Sequence, residues 1–125
     1  MIACDSSTLI AYIQDDPGPD TDLLDANLGA GEVAISPVVL AEILSEPRLP
    51  REHAAFIEAF PLLDFQDGFW VRVARARAAL SSRKLRARLA DAMIAQAAID
   101  HRISLITRDA DFRHYAKHCG LKLAV

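Results

Sequence analysis

The chain has 125 residues, a formal net charge of −3 and 52% hydrophobic residues. That length fits one domain, residues 1–125, with enough apolar side chain for a real core. The apolar runs are far shorter than the ~20 residues of a membrane span, no secretory signal is visible, and Cys4 and Cys119 lack a metal-binding spacing, so a cytoplasmic protein with reduced thiols and no membrane contact is expected.

Met1 to Cys4 reads as a first strand with Asp5 at its end, followed by a helical pattern through Leu9, Ile10, Tyr12 and Ile13. Asp15 to Asp20 holds two prolines and a glycine and reads as a loop. Leu23, Leu24 and Leu28 then give a short amphipathic helix ending near Gly29 and Gly31. Glu32 to Ile35 is a second strand. Ser36-Pro37 after it combines a hydroxyl N-cap with proline at the first helical position, and the helix stops before Pro47. A further helix runs from about Arg51 to Phe60, and Leu62 to Phe65 is a third strand.

The alanine-rich stretch from Phe69 to Arg88 is expected to be helical with a break near Ser81-Ser82. No acid falls between Asp67 and Asp91, whereas Arg72, Arg75, Arg77, Arg83, Lys84, Arg86 and Arg88 do. The negative total argues against a general nucleic-acid binder. A basic segment on an acidic protein can nonetheless hold phosphates, and a solvated helix face is the plainer reading for any one arginine. Leu89 to Ile99 suits a buried helix. Ile103 to Ile106 is a fourth strand, Phe112 to His118 a helix, and Leu121 to Val125 a fifth strand. Strands separated by helices argue an α/β fold: three layers, with a central parallel sheet of about five strands flanked by helices.

In such a sheet Asp5 and Asp109 end strands on the same edge, where α/β proteins bind ligands. Glu42 lies two turns into the helix after the second strand, and Asp91 starts the helix that feeds the fourth. Asp111 is a possible fifth acid. Singly, each has a plainer structural reading, Asp5, Asp91 and Asp109 as helix caps or first-turn acids and Glu42 as a solvent-facing residue. Glu42 and Asp91, however, interrupt apolar runs, where an acid is costly without something positive beside it. Two carboxylates about 5 Å apart repel by roughly 3 kcal/mol at an effective dielectric near 20. Protons or divalent cations must relieve such a cluster, and an oxygen-only donor set favours Mg²⁺ or Mn²⁺.

The succession Asp5-Ser6-Ser7-Thr8-Leu9-Ile10, Ser36-Pro37-Val38-Val39-Leu40-Ala41-Glu42-Ile43, Asp91-Ala92-Met93-Ile94-Ala95 and Thr107-Arg108-Asp109-Ala110-Asp111-Phe112 resembles a PIN domain. The closest likeness is to VapC-type toxins of bacterial toxin–antitoxin pairs. The resemblance implies a metal-dependent endoribonuclease. Asp5, Glu42, Asp91 and Asp109 would be the catalytic acids and would hold one or two Mg²⁺ or Mn²⁺ ions, with Asp111 as a possible further ligand. Ser7 and Thr107 would orient ligands or waters, and Arg72, Arg75, Arg83, Arg86 and Arg88 would hold RNA. It further implies cleavage of tRNA, rRNA or mRNA to a 5′-phosphate and a 3′-hydroxyl, a VapB-type antitoxin as partner, and a homodimer. Three departures stand out. Ser6 replaces a more usual threonine, Gln96 interrupts an alanine-rich run, and Arg83 to Arg88 replaces an expected glycine.

Other readings remain open on the residues. An inactive PIN domain could bind RNA or a partner without cleaving. Arg108 with His114, or Arg113 with His118, resembles the Arg–His motif of metal-independent HEPN ribonucleases, which are mostly helical. His114 and His118 have a zinc-compatible spacing but no nearby third ligand. A phosphatase of the HAD type would need an acid where Ser7 stands.

Overall fold

The computed structural model describes residues 1–125. Three parallel strands form its centre, β1 (Ile2–Cys4), β2 (Val33–Ala34) and β3 (Leu105–Ile106), in the order β2-β1-β3. Ile2 pairs with Val33, and Cys4 with Ile106. The third and fifth strands expected from the sequence are reduced to single parallel bridges, Ile35 with Leu62 and Leu105 with Leu123. They nevertheless lie at the two outer edges, where Leu63 donates to the Ile35 carbonyl and Leu105 to that of Lys122. Five chain segments therefore line up in parallel, but only three make a ladder.

Seven helices cover the sheet: α1 (Ser6–Ile13), α2 (Pro19–Gly29), α3 (Pro37–Leu44), α4 (Arg51–Glu58), α5 (Phe69–Ser81), α6 (Leu89–Asp100) and α7 (Phe112–His118). Their starts follow from local chemistry. The Asp5 carboxylate accepts from the Thr8 amide at 3.1 Å and caps α1, and the Ser36 hydroxyl accepts from Val38 and caps α3 ahead of Pro37. α2 begins earlier than expected, at Pro19. Proline breaks a helix interior, but at the first position its missing N–H costs nothing and its φ is already helical. Asp20 and Asp22 then face the helix N-terminus favourably.

α5 ends at Ser81, as the serine pair suggests, but the chain from Arg83 to Arg88 does not resume a helix. Lys84 takes a left-handed φ of 57°, and Arg88 is the residue before α6. α6 buries Ala92, Ala95, Ala97 and Ala98, whose small side chains let it sit close to its neighbours. Leu9, Ile35, Val39, Leu105, Ile106 and Phe112, all but sealed from solvent, belong to one apolar core. Both cysteines are free thiols, Cys4 buried and Cys119 half-buried. No helix is long and apolar enough to cross a membrane.

Candidate functional site

Because β1 and β3 are adjacent and parallel, their carboxyl ends deliver Asp5 and the Thr107–Asp111 turn to the same edge. Asp5 is 2% exposed. Its carboxylate accepts from the Thr107 hydroxyl at 2.5 Å, from the Ser7 hydroxyl at 2.9 Å and from the Thr8 amide. Thr107 in turn accepts from the Asp109 amide at 3.0 Å, and Ser7 from the Arg108 amide at 3.3 Å. The two hydroxyl residues therefore weld the start of α1 to the turn after β3. Burial pushes the Asp5 carboxyl above its usual range against these hydrogen bonds, and the Asp109 charge adds to the rise. No cation faces Asp5 among its hydrogen-bond partners.

Carboxylate oxygens of Asp91, Asp109 and Asp111 all lie within 4.8 Å of one another. Asp91 stands in the first turn of α6, and its carboxyl is pushed up to about 6, first by burial and then by the Asp109 charge. Glu42 and Asp111 also raise it, while Arg88 pulls it down. The division of labour in the turn is specific. Asp109 accepts from the Asp111 amide at 2.9 Å, whereas the Asp111 carboxylate caps nothing on α7 and stands 3.8 Å from the Arg86 guanidinium. Beside this cluster the Tyr115 hydroxyl is buried without a hydrogen-bond partner, and after burial the Asp91 charge is the main reason its pKa climbs to about 12.

Glu42 is outside the close cluster and exposed on α3, so the apolar run around it does not mean burial. It reaches the site through Ser6, whose hydroxyl donates to its carboxylate at 2.6 Å. The unusual serine at position 6 thus has a structural task. Gln96 has one too: its amide donates to Asp100 at 2.8 Å. Asp100 also takes a two-pronged contact from Arg72, at 2.6 and 2.8 Å. Arg72 is therefore committed to α6. Arg83 donates to the Ala79 carbonyl at the end of α5, and Arg86 and Arg88 border the acids. Arg75 is exposed on α5. His114 and His118 belong to no group of three potential metal ligands.

Two residues were not anticipated from the sequence. Asp20, 4% exposed, accepts from Thr8 and from Arg108, and Arg108 also reaches Asp16. A groove of about 380 Å³ runs from Asp109 past this network, between Pro17 and Leu123. Arg108 carried a sequence signal only as half of an Arg–His motif, and here its guanidinium is occupied by carboxylates.

The donor set is carboxylate oxygen throughout; burial first and neighbouring acids second raise Asp91 and Asp5, and an orphaned hydroxyl lies beside them. These features fit a divalent cation. The α/β architecture also excludes the mostly helical HEPN alternative. A profile of the PIN domain matches residues 2–118, and the chain belongs to that family. No curated protein matches by sequence. Among solved structures, the fold is similar to the VapBC2 complex from Rickettsia felis bound to a DNA fragment from its promoter. That pair aligns with a TM-score of 0.75 and 23% identity over 98% of this chain and 97% of the other. It is similar also to FitAcB from Neisseria gonorrhoeae, at 0.72 and 19% over 98% and 96%. VapBC-5 from Mycobacterium tuberculosis, a member of a family of toxin–antitoxin systems, aligns at 0.68 and 24% over 98% and 95%.

Proposed function

We propose that this PIN domain is a metal-dependent endoribonuclease of the VapC toxin type, neutralised by a VapB-type antitoxin and acting in the cytoplasm. The observation that carries the reading is the convergence of Asp91, Asp109 and Asp111 beside the buried Asp5. The toxin assignment and the partner rest on family membership and on fold likeness to complexes of that kind.

Asp91, Asp109 and Asp111 would hold the cation, Mg²⁺ or Mn²⁺, with Asp5 as the adjoining buried ligand and Glu42 at the rim. Bound there, it would supply Lewis acidity, making water a competent nucleophile at neutral pH and offsetting charge on the departing oxygen. The chain's own residues set the geometry. Thr107 fixes the Asp5 carboxylate with its hydroxyl and the Asp109 backbone with its lone pair. The Ser7 hydroxyl bridges both Asp5 carboxylate oxygens, each at 2.9 Å, and stands 3.4 Å from the Thr107 hydroxyl. In-line attack forms a bond from water oxygen to phosphorus and breaks the bond to O3′, which takes up a proton. The products are a 5′-phosphate and a 3′-hydroxyl. Arg86 and Arg88 lie on the acid-free segment leading into α6, beside the cluster and suited to steer phosphates, with Arg75 and Arg83 earlier on it.

The test is cleavage of a labelled RNA pool by purified protein with Mn²⁺, Mg²⁺ or chelator, with the ends of the products mapped. Metal-dependent cutting that leaves 5′-phosphates is expected, abolished in Asp91→Asn. Cutting that persists in chelator, or a 2′,3′-cyclic phosphate product, would overturn the reading.

A further inference from the structure

Arg108 is bonded far more heavily than a loop residue needs to be. Its Nε donates to Asp20 Oδ2 at 2.8 Å and its Nη2 to Asp20 Oδ1 at 3.0 Å, a two-pronged contact. Nη1 reaches Asp16 Oδ2 at 2.7 Å, and Nη2 also meets the Asp16 carbonyl at 3.3 Å. Asp20 opens α2 and is sealed from solvent; its other carboxylate partner is the Thr8 hydroxyl, at 2.9 Å. Thr8 supplies the amide that Asp5 caps. Arg108 itself lies between Thr107, which holds Asp5, and Asp109, which joins the acidic cluster. A ring of contacts thus runs from Asp5 through Thr8, Asp20 and Arg108 to Thr107 and back to Asp5.

The loop is shaped for this contact. A Cβ at Gly18 would stand 2.6 Å from Asp20 Oδ1 and 3.0 Å from Arg108 Nη2, so any side chain there must displace the carboxylate and crowd the guanidinium. Two-pronged guanidinium–carboxylate contacts fix orientation as well as distance, which a point charge cannot.

We propose that Arg108 and Asp20 are a positioning pair that sets the Thr107–Asp111 turn, and with it the direction in which Asp109 and Asp111 present their carboxylates. The pair does not touch the substrate or the cation. It anchors the turn from behind, onto the N-terminus of α2. As applied to metal binding this rests on the proposed metal-dependent function, but the effect on the turn does not.

The experiment therefore has two readouts on the full chain. The first is amide hydrogen exchange in metal-free protein at Arg108, Asp109 and Asp111, whose N–H groups are held by Ser7, Thr107 and Asp109. The second is Mn²⁺ affinity by calorimetry. Arg108→Gln and Asp20→Asn remove one partner each, and Gly18→Ala keeps both charges while prying them apart. Arg51→Gln on α4 controls for a positive charge removed elsewhere. Each of the first three is expected to speed exchange at those amides about tenfold or more relative to the α6 amides, and to weaken Mn²⁺ binding about 10- to 100-fold, as for groups that orient ligands from outside the coordination sphere. Arg108→Lys should recover only part of both effects. The Arg108→Gln, Asp20→Asn double variant should be no worse than either single one. Unchanged exchange at Asp109 and Asp111 in folded Arg108→Gln and Gly18→Ala would overturn the proposal. If exchange quickens in the variants while wild type takes up no Mn²⁺, the metal reading falls and the positioning of the turn stands.

Discussion

Two buried aspartates, Asp5 and Asp20, meet opposite electrostatic fates. Both are almost wholly removed from solvent, and each accepts a threonine hydroxyl. Asp20 also receives the Arg108 guanidinium, and that hydrogen bond holds its carboxyl below the usual range. Asp5 receives only hydroxyls and an amide, and burial drives its carboxyl above that range. The difference separates a carboxylate paired with a cation inside the fold from one left without a cation. A fold that wants an anion for architecture supplies the cation itself. A fold that leaves a buried carboxylate without one, in the field of Asp109, carries a deficit of positive charge that a ligand can relieve.

Neutralising each aspartate is the sharpest way to break the comparison. Asp5→Asn should lower RNA cleavage by more than about a hundredfold, since removing groups that merely orient metal ligands already costs up to that much. The metal-free fold should keep or gain stability, because a strained charge is removed. Retained cleavage by folded Asp5→Asn, in an assay under saturating Mn²⁺, would make Asp5 a cap and nothing more. Asp20→Asn is expected to do the reverse to stability, lowering the melting temperature by several degrees even without metal, because Arg108 loses its two-pronged partner. A calorimetric scan in chelator compares the two directly.

pH sharpens the same contrast. Asp91 titrates at about 6 in the fold against 3.8 as a free side chain. The native state therefore holds the proton more tightly, and ionising Asp91 is a penalty. That penalty is absent below pH 3.8, grows through the interval and is complete above about 6. Metal-free Asp91→Asn should be more stable than wild type at pH 7 by about 1 kcal/mol, after allowing for solvent screening of a half-buried group. The gap should close by about pH 4. Asp20 has the opposite sign: its lowered pKa contributes stability that is present above the ordinary carboxyl range and vanishes as pH falls through its depressed folded value. Denaturant melts of wild type, Asp91→Asn and Asp20→Asn across the acid range would expose any error of sign.

The smallest expected effect lies in the basic segment, where the same distinction between committed and free charge applies. Arg72 is tied to Asp100, whereas Arg86 and Arg88 stand in the field of the acids. Replacing Arg86 and Arg88 by Gln should flatten the log–log salt dependence of RNA binding by about 0.7 for each phosphate no longer held. Arg72→Gln should lower stability instead and leave that slope almost alone. Superimposable slopes for wild type and the Arg86, Arg88 variant would remove those arginines from RNA binding.

The elements of the fold were legible because their signals are local. Ser36-Pro37 is a local helix-start signal, a hydroxyl N-cap with proline at the first position, and the alanines of α6 mark a close-packed helix without knowledge of its partner. The position of Asp5, Asp91 and Asp109 at element ends was legible for the same reason. Other matters were decided only by the tertiary structure. The edge segments at Leu62 and Leu123 make one bridge each because strand length depends on what lies alongside. Glu42 is exposed because the helix face that meets the core is chosen by the packing of α3 on α1, α4 and α6, not by the apolar run around it. Asp109 and Asp111 divide turn-making from open presentation through a single amide, that of Asp111. Arg108 finds Asp20 across 88 residues, and Arg72 finds Asp100 across 28. Sequence states which residues carry charge, whereas the pairing of those charges is a property of packed elements, and here it separates the anions matched by an arginine from those that are not.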